Sequence, residues 1–495
     1  MHGLARIGPL LARNFTFKVF SQLLAALMAF ASMMVMSRYV ASEYGVMMWG
    51  LALVSLVNTV ADLGFNSANL KFIAKEGYDK QACFSTFMVV KLILTAIMIL
   101  ITLVTLFVME ASGSISEEAV IVCLIFIIYQ VISNFQFAVY YTLDGLQMSG
   151  KSSYLTIIEC SIRNIVLVVM AFAYVDATTL SSAYVIGTAV SGVVSFILIW
   201  REGIRLVKPI YLREYSMFAM PLAAALILTS VVTNLDKVIL GLSYESIEVT
   251  FYSTAVGLIA SFTSFGISLN TVLLPHLSHT MEDSKYTEKT IWGLERMMCT
   301  LLLPFVAFFI AYGKEIATVL FGDHMTPAGA EISILAVYII PFVFAGIMTQ
   351  VLYAANKGNA YLRASVILCI SAVLGFFLLI PETGVLPFDF SYGGNGAAVS
   401  VVIAYTLFFL VLSYMVKRYT GFRMYPRIWK IAIAFAITLT LLYCLDFFVG
   451  VHGFMMLAIG GIMGETIFLA LLIVMRELKA QHIWSVWKKL RDDKD

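Results

Sequence analysis

Cys83-Phe-Ser-Thr-Phe-Met-Val-Val-Lys91-Leu-Ile-Leu-Thr-Ala-Ile-Met-Ile-Leu-Ile-Thr-Leu-Val-Thr-Leu-Phe-Val108 is a run of 26 residues with one charge, Lys91. About 20 apolar residues cross a hydrocarbon core roughly 30 Å thick, so the run reads as a membrane span. Comparable stretches lie on either side of it, at 12–37, 44–66, 118–143, 154–175, 179–200, 214–235, 249–274, 291–312, 330–354, 361–380, 395–416, 429–449 and 454–475. With 83–108 they make about fourteen spans. The fold class expected is all-α, a polytopic membrane protein.

The basic residues give the orientation, because loops on the cytoplasmic side retain Lys and Arg. Of the 32 in the chain, 26 collect on one side: Arg6, Arg13 and Lys18; Lys71, Lys75 and Lys80; Lys151; Arg201, Arg205, Lys208 and Arg213; Lys285 and Lys289; Lys357 and Arg363; five from Lys417 to Lys430; six from Arg476 to Lys494. Arg38, Lys237 and Lys314 fall on the other. Both termini are therefore expected in the cytoplasm. Lys91, Arg163 and Arg296 lie within or at the edge of spans.

A net charge of +2 and a mean hydropathy of +0.93 fit an integral membrane protein with short loops. The gaps leave no room for a catalytic or nucleotide-binding domain of roughly 100 residues. The N-terminus lacks a cleavable signal, so the first apolar stretch reads as a retained span after a short interfacial helix, Leu4 to Leu11. Cys83, Cys123, Cys160, Cys299, Cys369 and Cys444 are scattered singly, without metal or redox spacing. No metal, cofactor or catalytic residue is expected, and nothing points to nucleic acid.

Gly145-Leu-Gln-Met-Ser-Gly150-Lys151-Ser152 matches the phosphate-binding G-x-x-x-x-G-K-[ST] pattern. That loop functions between a buried strand and a helix, whereas here it joins two spans. It reads as a tight cytoplasmic turn with Lys151 at the headgroups. Asn14-Phe-Thr16 is a glycosylation sequon on the cytoplasmic side.

The chain also repeats itself. Ser37-Arg38-Tyr-Val-Ala-Ser-Glu43-Tyr44-Gly45, followed by a span and Asp62-Leu-Gly64, parallels Leu235-Asp236-Lys237-Val-Ile-Leu-Gly241, followed by Glu248, Phe251-Tyr252-Ser253, a span and Pro275. An even number of spans per half makes the repeats parallel, about an axis along the membrane normal. The divisions expected are 1–210, 211–425 and 426–495. No selectivity filter or re-entrant pore segment is evident.

Ser37 to Ala74, Asp236-Lys237 before Tyr252-Ser253, Leu320-Phe-Gly322, Asn356-Lys-Gly358 and Gly393-Gly-Asn-Gly396-Ala-Ala398 resemble the Wzx-type polysaccharide flippases. These belong to the multidrug/oligosaccharidyl-lipid/polysaccharide (MOP) exporter superfamily. The resemblance covers essentially the whole chain through loose, mostly structural motifs. It implies two six-helix bundles in a V around a central cavity, two further C-terminal helices, and alternating access. It also implies a prokaryotic plasma-membrane location and a cargo of polyprenyl-linked oligosaccharide, turned from the cytoplasmic to the outer leaflet for surface polysaccharides such as O-antigen. Polysaccharide polymerase and glycosyltransferases are the partners it suggests, besides the lipid bilayer.

Such a cargo carries a hydrated, commonly anionic headgroup, and a basic side chain at mid-span costs about 2.5–3.5 kcal/mol on insertion scales. Lys91 and Arg163 are therefore candidates to bind diphosphate or acidic sugar in a cationic cavity. Lys91 snorkelling to the interface is the structural alternative. Glu159, one turn before Arg163, makes either a helix-locking pair with it or the carboxylate coupling transport to H+ or Na+. Asn134 and Asn270 are candidate sugar ligands, with Asn58, Gln136, Asn234 and Gln350 on similar spans; helix-to-helix hydrogen bonding is the alternative use. Arg38, Asp236 and Lys237 occupy matching places in the two halves and form a candidate outer gate or interfacial anchor. Arg296 reads as a headgroup anchor, and Glu465 beside Gly460-x-x-x-Gly464 as part of a helix-packing face or lipid-tail groove. Competing functions are a cation-coupled drug antiporter, a peptidoglycan lipid-precursor flippase and a membrane-embedded glycosyltransferase. The last would call for larger outer loops than 109–117 and 381–394.

Overall fold

The computed structural model describes residues 9–280, 284–355, 357–381, 392–450 and 453–477. Among these residues the helices are α1 (Pro9–Tyr39), α2 (Ala41–Asn58), α3 (Phe65–Ala74), α4 (Lys80–Ala111), α5 (Glu117–Gly145), α6 (Ser149–Phe172), α7 (Ala177–Arg201) and α8 (Leu212–Ser243). There follow α9 (Ser246–Thr280), α10 (Ser284–Phe321), α11 (Ala328–Ala354), α12 (Gly358–Leu379), α13 (Gly393–Thr420), α14 (Ile428–Val449) and α15 (Gly453–Val474). No strand occurs among the described residues. Thirteen of these helices are long and apolar enough to cross a membrane. The 35-residue α9, about 52 Å long at 1.5 Å per residue, carries the apolar stretch 249–274. The expected all-α polytopic fold is borne out. Most of the short helix expected at Leu4 to Leu11 lies outside the described residues.

The helices are inside-out relative to those of a water-soluble protein. On α4 the buried stripe is Phe84, Phe87, Lys91, Thr95, Met98, Thr102 and Leu106, while Leu92, Leu100, Val104 and Phe107 are exposed. Steps of three and four residues define each face. The outward face is uniformly apolar, as lipid requires, and the polar residues turn inward. Hydroxyls in the interior bond back to their own helix: Thr86 donates to the Ala82 carbonyl at 2.7 Å and Thr102 to that of Met98 at 2.8 Å. Helix starts are marked by side-chain caps. Asp79 accepts from the Gln81 and Ala82 amides, Ser116 from Ala119, and Asp176 from Thr179.

The stretch 44–66 was expected to be one span, and it is broken. α2 ends at Asn58, a 3-10 turn occupies Thr59–Ala61, and Leu63 and Gly64 take φ of 42° and 86° before α3 begins. Left-handed backbone suits glycine and is uncommon for leucine. The Asp62 carboxylate accepts the Asn66 amide at 3.1 Å, which caps the new helix.

The chain divides into two compact units, residues 1–254 with 372–397, and 255–371 with 398–495. In the first, α1 packs on α6, α5 on α7, and α2 on α5 and α8. Small and polar residues knit the far end of α1 and α2 to α8 and α9. Ser37 and Thr254 share a 2.8 Å hydrogen bond, and the Trp49 indole donates to the Val238 carbonyl at 3.2 Å. A side chain at Gly45 would place its Cβ 1.9 Å from the Ser246 carbonyl oxygen, so only glycine allows this approach. At the other end of α8, the Tyr215 hydroxyl donates to Asn69 at 3.0 Å, and the Asn69 amide donates to Thr142 at 2.9 Å.

In the second unit α10 packs against α11, α14 and α15. Tyr312, at a non-helical point inside α10, donates to the Leu442 carbonyl at 3.0 Å. At the basic-rich end, buried Glu295 accepts the Tyr425 amide at 2.8 Å, and the Tyr425 hydroxyl donates to Glu477 at 2.5 Å. Lys430 pairs with Glu477 at 3.5 Å. Burial and the Glu477 carboxylate push the Tyr425 phenol up from its usual range.

Candidate functional site

The richest polar cluster described inside the first unit spans α5, α6 and α7. Glu159 and Arg163 lie one turn apart on α6, and the Arg163 guanidinium donates to the Glu159 carboxylate at 3.0 Å. Their side chains retain 19% and 16% exposure for Arg163 and Glu159 respectively, so the pair is sheltered and still accessible. The guanidinium carbon lies 5.0 Å from the Tyr184 ring centroid, a cation–π arrangement. Tyr184 is held edge-to-face by Phe126 and Tyr129. Gly187 lets α7 approach the Arg163 backbone, since a Cβ there would sit 2.8 Å from that of Arg163.

On the other side of Glu159, the Gln136 amide nitrogen faces three oxygens: Glu159 at 3.2 Å, Tyr140 at 2.5 Å and Ser191 at 2.7 Å. An amide has two hydrogens to give, so these acceptors compete. The Gln136 carbonyl oxygen is buried without a partner. Ser191 donates onward to the Leu155 carbonyl at 3.1 Å. The cluster therefore combines a cation with donors to spare, a carboxylate, and hydroxyl and amide groups on an aromatic wall. Its partly accessible member, the Arg163 guanidinium, is suited to phosphate.

Lys91 is placed differently. It is 1% exposed, and its ammonium donates to the Ala61 carbonyl at 3.0 Å, at the break between α2 and α3. The Phe87 ring centroid is 5.6 Å away. A cation at the end of a helix meets freed carbonyls and the negative end of the helix dipole. The ammonium thus ends within the protein, on a main-chain carbonyl.

Asn134 is also buried and donates to Asn58 at 2.8 Å, while Gln130 donates to Ser55 at 3.1 Å. These bonds clasp α5 to α2. Asn270 lies on α9, with its side chain outside the described residues. Asp236 and Lys237 are buried on α8: Tyr252 donates to Asp236 at 2.7 Å, and Lys237 reaches Asp236 at 3.4 Å and the Thr233 carbonyl at 2.9 Å. Arg38 is exposed at the end of α1. The structure thus brings Glu159 and Arg163 together, and Asp236 with Lys237, while Lys91 and Asn134 bond to separate points on the α2 segment.

The phosphate-loop look-alike joins α5 to α6, two helices. Ser152 donates to Asp144 at 2.6 Å, Lys18 pairs with Asp144 at 2.5 Å, and Lys151 pairs with Glu202. Its polar groups are spent on stapling the turn, and Lys151 meets a carboxylate where headgroups were expected.

Tyr129, Tyr140, Tyr184 and Ser191 were missed from sequence. A signal was present. Tyr129, Ser133, Gln136 and Tyr140 advance by four, three and four, and Tyr184, Gly187 and Ser191 by three and four, which places each set on one helix face.

Residues 11–281, more than half of the chain, match the family model described as "Polysaccharide biosynthesis protein". The chain belongs to that family. A curated relative, the capsular polysaccharide biosynthesis protein CapF of Staphylococcus aureus, is 24% identical over 214 residues, 42% of this chain. The match spans half the length of that relative. Among solved structures, the lipid II flippase MurJ in an inward closed conformation aligns with a TM-score of 0.71 at 14% identity, over 93% of this chain and 99% of that one. An inward-facing multidrug resistance MATE transporter of the MOP superfamily aligns with a TM-score of 0.59 at 13% identity, over 80% and 94%. The resemblance to MOP-superfamily polysaccharide flippases drawn from the sequence is borne out, and this family member is a multi-pass membrane protein with the fold of those transporters.

Proposed function

We propose that this family member carries a polyprenyl-(di)phosphate-linked oligosaccharide from the cytoplasmic to the outer leaflet of a prokaryotic plasma membrane by alternating access, with both termini in the cytoplasm. The observation that carries this reading is Arg163, a guanidinium in mid-span beside a carboxylate, a tyrosine face and a hydroxyl–amide cluster. Arginine matches phosphate oxygens in pairs, and the buried Gln136, bonded to Tyr140 and Ser191, holds the Glu159 carboxylate beside it. Glu159 is the coupling carboxylate in this scheme, releasing Arg163 when it takes a proton. One charge moved through 100 mV supplies about 2.3 kcal/mol, enough to bias a cycle. Polymerase and glycosyltransferases act on the same cargo on either side of the membrane.

The test is deletion of the gene in its host, with assay of surface polysaccharide and of lipid-linked intermediates in the cytoplasmic leaflet. Loss of polymer with trapped intermediate, rescued by the wild-type chain and not by Arg163→Ala, is the expected result. Glu159→Gln is expected to remove the pH dependence of transport. Normal polymer with altered drug resistance overturns the reading in favour of an antiporter, and arrested cell-wall synthesis in favour of a peptidoglycan-precursor flippase.

A further inference from the structure

The second unit carries a cavity of about 360 Å³ where α10, α11 and α13 meet the linker between α13 and α14. Ile291, Met348 and Phe422 give it apolar walls, and Lys417 and Arg423 stand at its rim. Both cations are exposed. The Glu288 carboxylate lies close by, but the group it accepts from is the Arg423 backbone amide, at 3.2 Å. Ser413 also lines the cavity, and its hydroxyl oxygen is buried without a hydrogen-bond partner. The site therefore joins three things: an apolar slot, an unsatisfied hydroxyl inside it, and two cations at its mouth.

Its level in the membrane follows from the chain around it. Lys417 and Arg418 close the last turn of α13, and Arg423, Arg427 and Lys430 follow within the linker and the start of α14. This is the basic-rich membrane face, where lipid phosphates and the first methylenes of their tails meet. We propose that the cavity binds an anionic glycerophospholipid, its phosphate held by Lys417 and Arg423 and one acyl chain laid against Ile291, Met348 and Phe422. The volume lies at the small end for ligand pockets. It suits a headgroup and the upper part of one chain, and is too small for an oligosaccharide cargo. The site is separate from the α5–α6–α7 cluster and does not depend on the transport reading.

The experiment uses the full chain, purified in mild detergent and examined by native mass spectrometry with phosphatidylglycerol or phosphatidylcholine added. Wild type is expected to retain phosphatidylglycerol in preference to phosphatidylcholine. Lys417→Ala with Arg423→Ala is expected to weaken that retention about thirtyfold, since each of the two cations near a lipid surface contributes on the order of 1 kcal/mol. Met348→Trp, which fills the slot and leaves the cations, is expected to weaken retention of both lipids. Arg418→Ala, next to the site and outside its lining, is expected to retain phosphatidylglycerol as wild type does. Equal loss in Arg418→Ala and the double variant would show general surface charge and overturn the proposal. So would unchanged retention in both the double variant and Met348→Trp, or displacement of phosphatidylglycerol by an equimolar polyprenyl phosphate.

Discussion

Lys91 and Arg163 are both cations inside spans of the first unit, and their surroundings handle the charge in opposite ways. Lys91 is sealed in, at 1% exposure, and its hydrogen bond goes to a backbone carbonyl freed by the break after α2. Arg163 keeps a fifth of its side chain accessible and faces a carboxylate and an aromatic ring. The difference separates two uses of an expensive group. A cation whose partner is main chain fixes the shape of a helix, whereas one with spare donors and an opening is placed to meet a ligand.

Breaking the Arg163 site gives the largest expected effect. Arg163→Ala strands Glu159 in a sheltered site, and losing one partner of a buried pair costs about 3 kcal/mol; thermal unfolding of the purified chain measures it. Replacing both, as Glu159→Gln with Arg163→Met, is expected to recover most of that stability without recovering transport. Recovery of transport would show that the pair serves only to lock helices.

Lys91→Met leaves the Ala61 carbonyl unsatisfied, at a cost of about 2 kcal/mol. Its signature is local: faster hydrogen exchange across 59–66, with transport falling only as far as stability does. If transport were lost at full stability, Lys91 would belong with Arg163. Gln136→Leu removes the amide shared by Glu159, Tyr140 and Ser191 and is expected to cost about 1 kcal/mol, read by the same unfolding assay. Arg38→Ala, at an exposed position, is expected to change stability by less than about 0.5 kcal/mol; a larger shift would place Arg38 in the packing of the α1–α2 corner.

The spans were legible because a run such as 83–108 has one outcome in a bilayer, and the accumulation of Lys and Arg gave an expected side for each loop. The Glu159–Arg163 pair was also legible, since four residues is one helical turn. The break at 59–64 was not. Nothing local in Asn58-Thr-Val-Ala-Asp-Leu-Gly64 forbids a continuous helix except the final glycine, and the lysine that bonds the freed carbonyl comes from α4, 30 residues further on. Asn134 could be named from its type and position, but its partner, Asn58, lies 76 residues away.

By itself, then, the sequence determined an all-α chain that crosses the membrane many times, its orientation as an expectation, and that some polar residues, Lys91 and Arg163 among them, lie within spans. Those properties follow from transfer free energies and helical periodicity, which act along the chain. Only the tertiary structure decided which of the buried polar residues bond to main chain, which pair with each other and which keep capacity for a ligand. That choice depends on neighbours from other helices, and in a low-dielectric interior a polar group's role is set by the partner within 3 Å of it.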